Sequence, residues 1–169
     1  MAAGSTYTPI ATTTLVGTSA TITFSSISGT YTDLVLVANI LCSTDSNISA
    51  FLNGVNTGDL YSNTHITGSG SAAASSRQSG AATFLLSPGP IASATTSPEP
   101  MIINFQNYSN TTTFKTALFR YGVNAAAANG VAATVGLYRD TAAINSITLK
   151  TDALFSIGTT ATLYGIKAA

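Results

Sequence analysis

Apolar and polar residues alternate in short runs along this chain, and turn residues punctuate the runs. Residues 12–16 and 20–24 are Thr-rich and alternating, and the second run places Ile22 and Phe24 on one face. Ser28 and Gly29 close a turn before residues 33–41. There Leu34, Val35, Leu36 and Val37 are continuously apolar, the pattern of a strand covered on both faces. Residues 48–52 lead into Asn53-Gly54, the strongest short hairpin signal in the chain, with residues 60–66 as the expected partner strand. Residues 68–80 are rich in Gly, Ser and Ala, lack an apolar anchor and read as an exposed loop. A short strand is expected at 83–86. Four of the five prolines fall within residues 87–100, which predicts neither helix nor central strand there but a crossing between sheets.

The last third carries the clearest pattern. Residues 101–105 resume a strand pattern and 114–121 alternate. Residues 131–138 place Val131, Ala133, Val135 and Leu137 on one face, and 144–149 follow. Residues 160–167 set Leu163 against Tyr164 and Ile166. Helix is nearly absent: residues 125–128 have the composition, but Asn124 and Asn129-Gly130 bracket a single turn. About ten short strands at the spacing of a sandwich or barrel predict an all-β fold. The expected architecture is a single antiparallel β-sandwich of jelly-roll type with minimal helix. Residues 9–169 form one domain in this reading, and residues 1–8 an extended N-terminal arm suited to touching a neighbour.

Composition changes the picture in one respect. Charged residues make up only 7% of the chain, against about 25% in a typical soluble protein. The 45% hydrophobic content excludes disorder as the cause. Formal net charge is zero, which invites association of free monomers and suits a chain packed permanently into an assembly. The six basic residues are scattered singly, so a nucleic-acid backbone is not an expected partner. The single Cys42 excludes an internal disulfide framework and reads as a buried small hydrophobe. Residues 1–9 show no secretory leader, and no apolar stretch approaches the roughly 20 residues of a membrane-spanning helix. Synthesis in a cytoplasm, with no membrane partner, is the expectation.

Candidate chemistry is thin. His65 is the only histidine, no G-x-S-x-G elbow accompanies it, and its polar alternating context reads as a surface or strand-edge position. The six acids are Asp33, Asp45, Asp59, Glu99, Asp140 and Asp152. Most lie beside turn signals, where Asp bonds local backbone, and they do not read as a glycosidase pair. Asp45-Ser46-Asn47 lacks the further ligands of a calcium loop and reads as an Asx turn. The Asn-x-Ser/Thr patterns at Asn47, Asn107 and Asn110 are expected to be idle without a secretory signal. Gly68-Ser69-Gly70-Ser71 has no Lys or helix to make a phosphate cradle. No catalytic residue, metal ligand or cofactor is expected. Tyr and Arg are favoured anchors of protein interfaces, which singles out Tyr7, Pro9, Arg120, Tyr138 and Arg139 as partner contacts.

Four phrases carry a family resemblance: residues 25–36 (SSISGTYTDLVL), 106–115 (QNYSNTTTFK), 135–139 (VGLYR) with 144–148, and 162–167 (TLYGIK). From about Tyr7 onward the chain resembles small jelly-roll structural proteins of tailed phages, especially cyanophages. These are capsid decoration (cement) proteins and related tail-fibre C-terminal domains. The resemblance implies a non-enzymatic virion protein, a homotrimer on the head that binds neighbouring major capsid subunits. The alternative it leaves open is a tail-fibre domain contacting host surface glycans. The absence of Trp lowers carbohydrate binding, and a depolymerase is least expected for want of paired acids.

Overall fold

A computed structural model describes residues 6–87, 94–122 and 130–167 of the protein. Twelve strands and no helix occur among them. They are β1 (Tyr7–Thr14), β2 (Ser19–Phe24), β3 (Asp33–Cys42), β4 (Ile48–Leu52), β5 (Tyr61–Gly68) and β6 (Ala73–Ala81). Then follow β7 (Phe84–Leu85), β8 (Ala94–Gln106), β9 (Lys115–Gly122), β10 (Val131–Tyr138), β11 (Ile147–Phe155) and β12 (Thr160–Ile166). All pair antiparallel. One run of neighbours is β1-β12-β3-β8-β9-β10-β5-β6, and a second is β2-β11-β4-β7. The runs join where Phe155 pairs with Cys42. At the other end β7 meets β5, so the sheet nearly closes on itself.

The inward positions of both runs meet in one apolar core. β2 supplies Ile22 and Phe24, as its alternation predicts. β3 sits between β8 and β12; Leu34, Val35 and Leu36 are buried while Val37 is half-buried, so the apolar run is enclosed over its first three residues and its outer side is only partly covered. Aromatic rings fill the space between β5, β7, β9 and β10. Tyr61 stacks on Tyr138 with centroids 4.7 Å apart and meets Phe84 edge-on at 4.9 Å, and Phe84 lies 5.5 Å from Phe119. Gly136 makes room for them: a Cβ there would lie 2.6 Å from Phe84 and 2.7 Å from Phe119. The Tyr61 hydroxyl receives the Leu52 N–H at 2.9 Å and donates to the Val55 carbonyl at 2.8 Å, tying β5 to the end of β4.

Three local expectations are corrected. Most of residues 68–80 is strand, not loop: β6 pairs along β5 from Gly68↔Ala73 to Tyr61↔Ala81. Eight of its nine residues are exposed and none is buried, so hydrogen bonds to β5 hold it and no apolar period marks it. This added strand brings the eleven runs named from sequence to twelve. The Asn53-Gly54 turn forms, with φ of 53° and 73° and the Val55 N–H on the Leu52 carbonyl at 2.9 Å. Its expected partner is wrong, however. β4 lies between β11 and β7, which occupy both its edges, and β5 pairs instead with β10 and β6. Residues 94–100, expected to be excluded from a central strand, belong to β8, between β3 and β9. The proline rule is kept locally, because β9 bonds only Met101 to Gln106. Pro98 and Pro100 thus lie where β8 has a single neighbour.

Residues 1–5 and 125–128 lie outside the described residues, and with them most of the arm and the single helical turn. Tyr7 and Thr8, assigned to the arm by sequence, already pair with Ile166 and Gly165 in β1.

Candidate interaction face

Exposed aliphatic residues of neighbouring strands come together on the outside of the eight-strand run. In β10 the sequence offers two faces. Val131, Ala133, Val135 and Leu137 form the aliphatic one, and Ala132, Thr134, Gly136 and Tyr138 the other. The fold buries the second. Large rings from β5, β7 and β9 fill the interior against it, and at Gly136 only the missing side chain leaves room for Phe84 and Phe119. The branched residues therefore face outward, with Val131 60% and Val135 52% exposed.

Adjacent strands extend this surface. Leu118 opposes Val135 and is 40% exposed, while Ile66 opposes Ala133 and is 64% exposed. One outward row crosses the whole run by register: Pro9, Tyr164, Val35, Asn104, Leu118, Val135, Thr64 and Arg77. A hollow of about 680 Å³ opens along it between β3 and β5, and a second of about 500 Å³ adjoins at Ile66, Arg120 and Ala133. Scattered exposed Leu or Val residues are ordinary on a protein surface, but a contiguous row is the mark of a contact site.

Three of the five residues singled out by sequence share this outer side. Tyr7 and Pro9 lie at its β1 margin, and the Tyr7 ring meets Tyr164 edge-on at 6.3 Å. Arg120 stands in the middle, in register with Ile102 and Ala133, exposed and with no hydrogen bond or ion pair among the described residues. Tyr138 is elsewhere. It is fully buried against Tyr61, donates to Asp140 at 3.2 Å, and offers no ring to a partner; burial first, then the neighbouring Tyr61 and Asp140, raises its pKa. Arg139 is half-buried and bound to its own chain, at the Asp59 carbonyl (3.3 Å) and the Ser62 hydroxyl (3.0 Å). The aliphatic row was missed by sequence, since an alternating strand does not reveal which of its two faces is inside. The small residues at 132, 134 and 136 were the available signal.

His65 is a correction. It is 2% exposed, with Nδ1 2.9 Å from the Thr134 hydroxyl and Nε2 buried without a hydrogen-bond partner among the described residues. Its position is inward because β5 turns Tyr61, Asn63 and His65 to the core. Burial holds its pKa below the ordinary value. The acids spread out. Asp33 accepts the Asn107 N–H at 2.7 Å, Asp140 accepts the Ala142 N–H at 2.8 Å, and Asp152 accepts from Asn47 at 3.3 Å. Glu99 is buried in β8; burial first, and then the neighbouring Glu99, push Tyr121 up to about 12. Lys115 is buried too, donating to the Thr113 and Thr141 carbonyls at 2.8 and 3.0 Å, and burial lowers its pKa. Burial raises the Cys42 thiol in the same way. No three His, Cys, Asp or Glu side chains come together at metal-binding distance among the described residues. No protein-family model, no curated protein and no solved structure matches the chain.

Proposed function

We propose that this chain is a non-enzymatic structural protein of a phage particle, acting by contact with its own copies and with other virion proteins. In this reading it is a β-sandwich of jelly-roll type that forms homotrimers on the head. There it binds neighbouring major capsid subunits as a decoration, or cement, protein. The observation that carries the contact function is the aliphatic row at Ile66, Leu118, Val131 and Val135, held outward on the adjacent strands β5, β9 and β10. Near-absence of charge supports it, since such a surface gains more from a protein partner than from water. Burial of His65 supports the non-enzymatic part, because a ring 2% exposed is closed to substrates. The placement on a phage head rests on the four phrases at residues 25–36, 106–115, 135–139 with 144–148, and 162–167.

Mechanically, contacts gathered around a symmetry axis add through linkage of sites, so modest individual interfaces become a durable clamp on the shell. Stoichiometry in purified particles tests the reading. Several hundred copies per particle are expected of head decoration. A few dozen would place the protein in the tail, and its absence from particles would end the reading. Removing residues 1–8 is expected to weaken attachment to heads.

A further inference from the structure

We propose that the outer face running from β6 through β5, β10, β9 and β8 to β3 is the surface on which further copies of this chain dock. This docking presupposes the contact function proposed above and gives it a location. The apolar residues of the face are contiguous, being neighbours in register on three adjacent central strands. The two hollows meet at Ile66, Arg120 and Ala133, so the concave surface is continuous.

β6 supplies an independent reason. It is a nine-residue edge strand with no buried side chain, one charge (Arg77) and no proline. A strand of this kind gains nothing from burial in a single copy, and its open edge lacks most of the devices that protect natural sheet edges. A partner that covers β6 has to be present whenever the chain folds, and another copy of the same chain meets that condition. Strand spacing and rise give the six-strand face roughly 750 Å² of projected area. Stable interfaces take about 800 Å² from each partner.

Sedimentation of the full chain tests this, with circular dichroism to verify folding. The unmodified chain is expected to sediment as an oligomer. Val135→Asp and Leu118→Asp are expected to weaken association about a hundredfold or more, by burying an unpaired charge, while keeping the β-sheet spectrum. Val16→Asp, at a 91% exposed site outside the face, should leave the oligomer intact. Should the face variants unfold, hydrogen exchange of the unmodified chain at two concentrations decides, with slower exchange of β6 and β10 amides expected on assembly. An oligomer indifferent to both face variants, or exchange in β6 and β10 unchanged by assembly, overturns this surface and leaves the contact reading standing. A chain monomeric at all concentrations overturns both.

Discussion

Gly136 sits where two aromatic rings converge, and its missing side chain is what lets β10 turn its small face inward. Gly136→Ala is expected to cost about 1–3 kcal/mol, the usual range for overpacking a filled core. Urea denaturation would measure it, and an unchanged midpoint would show that the rings have room to give. His65 is the residue through which pH reaches the core. Burial holds its folded pKa below 6.5, so the unfolded chain takes up the proton first as pH falls. Its stabilising neutral form is fully present above pH 6.5, and stability is lost as pH drops below that value. The residues paired with it across the ladder, Thr134 and Ser76, carry no charge to offset a proton. Unfolding followed between pH 7.5 and 5 is expected to show a falling midpoint that flattens in His65→Gln. Equal slopes in the two proteins would contradict this.

At the scale of elements, the turn after β4 and the strand β6 behave oppositely. Asn53 combines a positive φ with three bonds across the fold. Its Oδ1 accepts the Asn145 and Ser146 N–H groups at 2.8 and 3.3 Å, and its Nδ2 donates to the Ala143 carbonyl at 2.9 Å. The turn thereby pins the β10–β11 connection to the end of β4. Asn53→Ala loses those bonds and meets the left-handed backbone cost, so a destabilisation of about 2–3 kcal/mol is expected in the same denaturation assay. β6 lacks an anchor of that kind: beyond its ladder to β5 it has, among the described residues, only the Thr67 hydroxyl on the Ala74 carbonyl at 3.5 Å and the Asn63 amide against the Gln78 side chain at 3.3 Å, both from the same neighbour. Local opening is therefore expected to begin there, and in dilute protein its amides should exchange faster than those of β3, which is bonded on both sides.

The whole molecule is a nearly closed antiparallel sheet whose interior is aromatic and aliphatic and whose outside is also apolar over several strands. With charged residues at 7%, salt has little to screen. Association through the outer face is accordingly expected to survive molar sodium chloride and to strengthen in ammonium sulfate, which favours apolar burial. Light scattering across a salt series would check this. Dissociation at high sodium chloride would point to an electrostatic interface elsewhere.

Much of the fold was legible in the residues themselves. Period-two alternation set Ile22 and Phe24 to the core, the run 34–37 identified the strand β3, buried from Leu34 to Leu36, and Asn53-Gly54 formed its tight turn. Local pattern suffices there because alternation and left-handed backbone are decided within a few residues. Three further features were decided only by tertiary structure: the partner of β4, the existence of β6, and which face of β10 is buried. Pairing is settled by which strands already occupy an edge, and β6 is held by backbone bonds that leave no trace in side-chain pattern. The face of β10 depends on the volume of rings contributed by strands distant in sequence. The site follows the same division. Arg120 could be singled out from sequence, whereas the aliphatic row around it became a surface only when those rings claimed the interior.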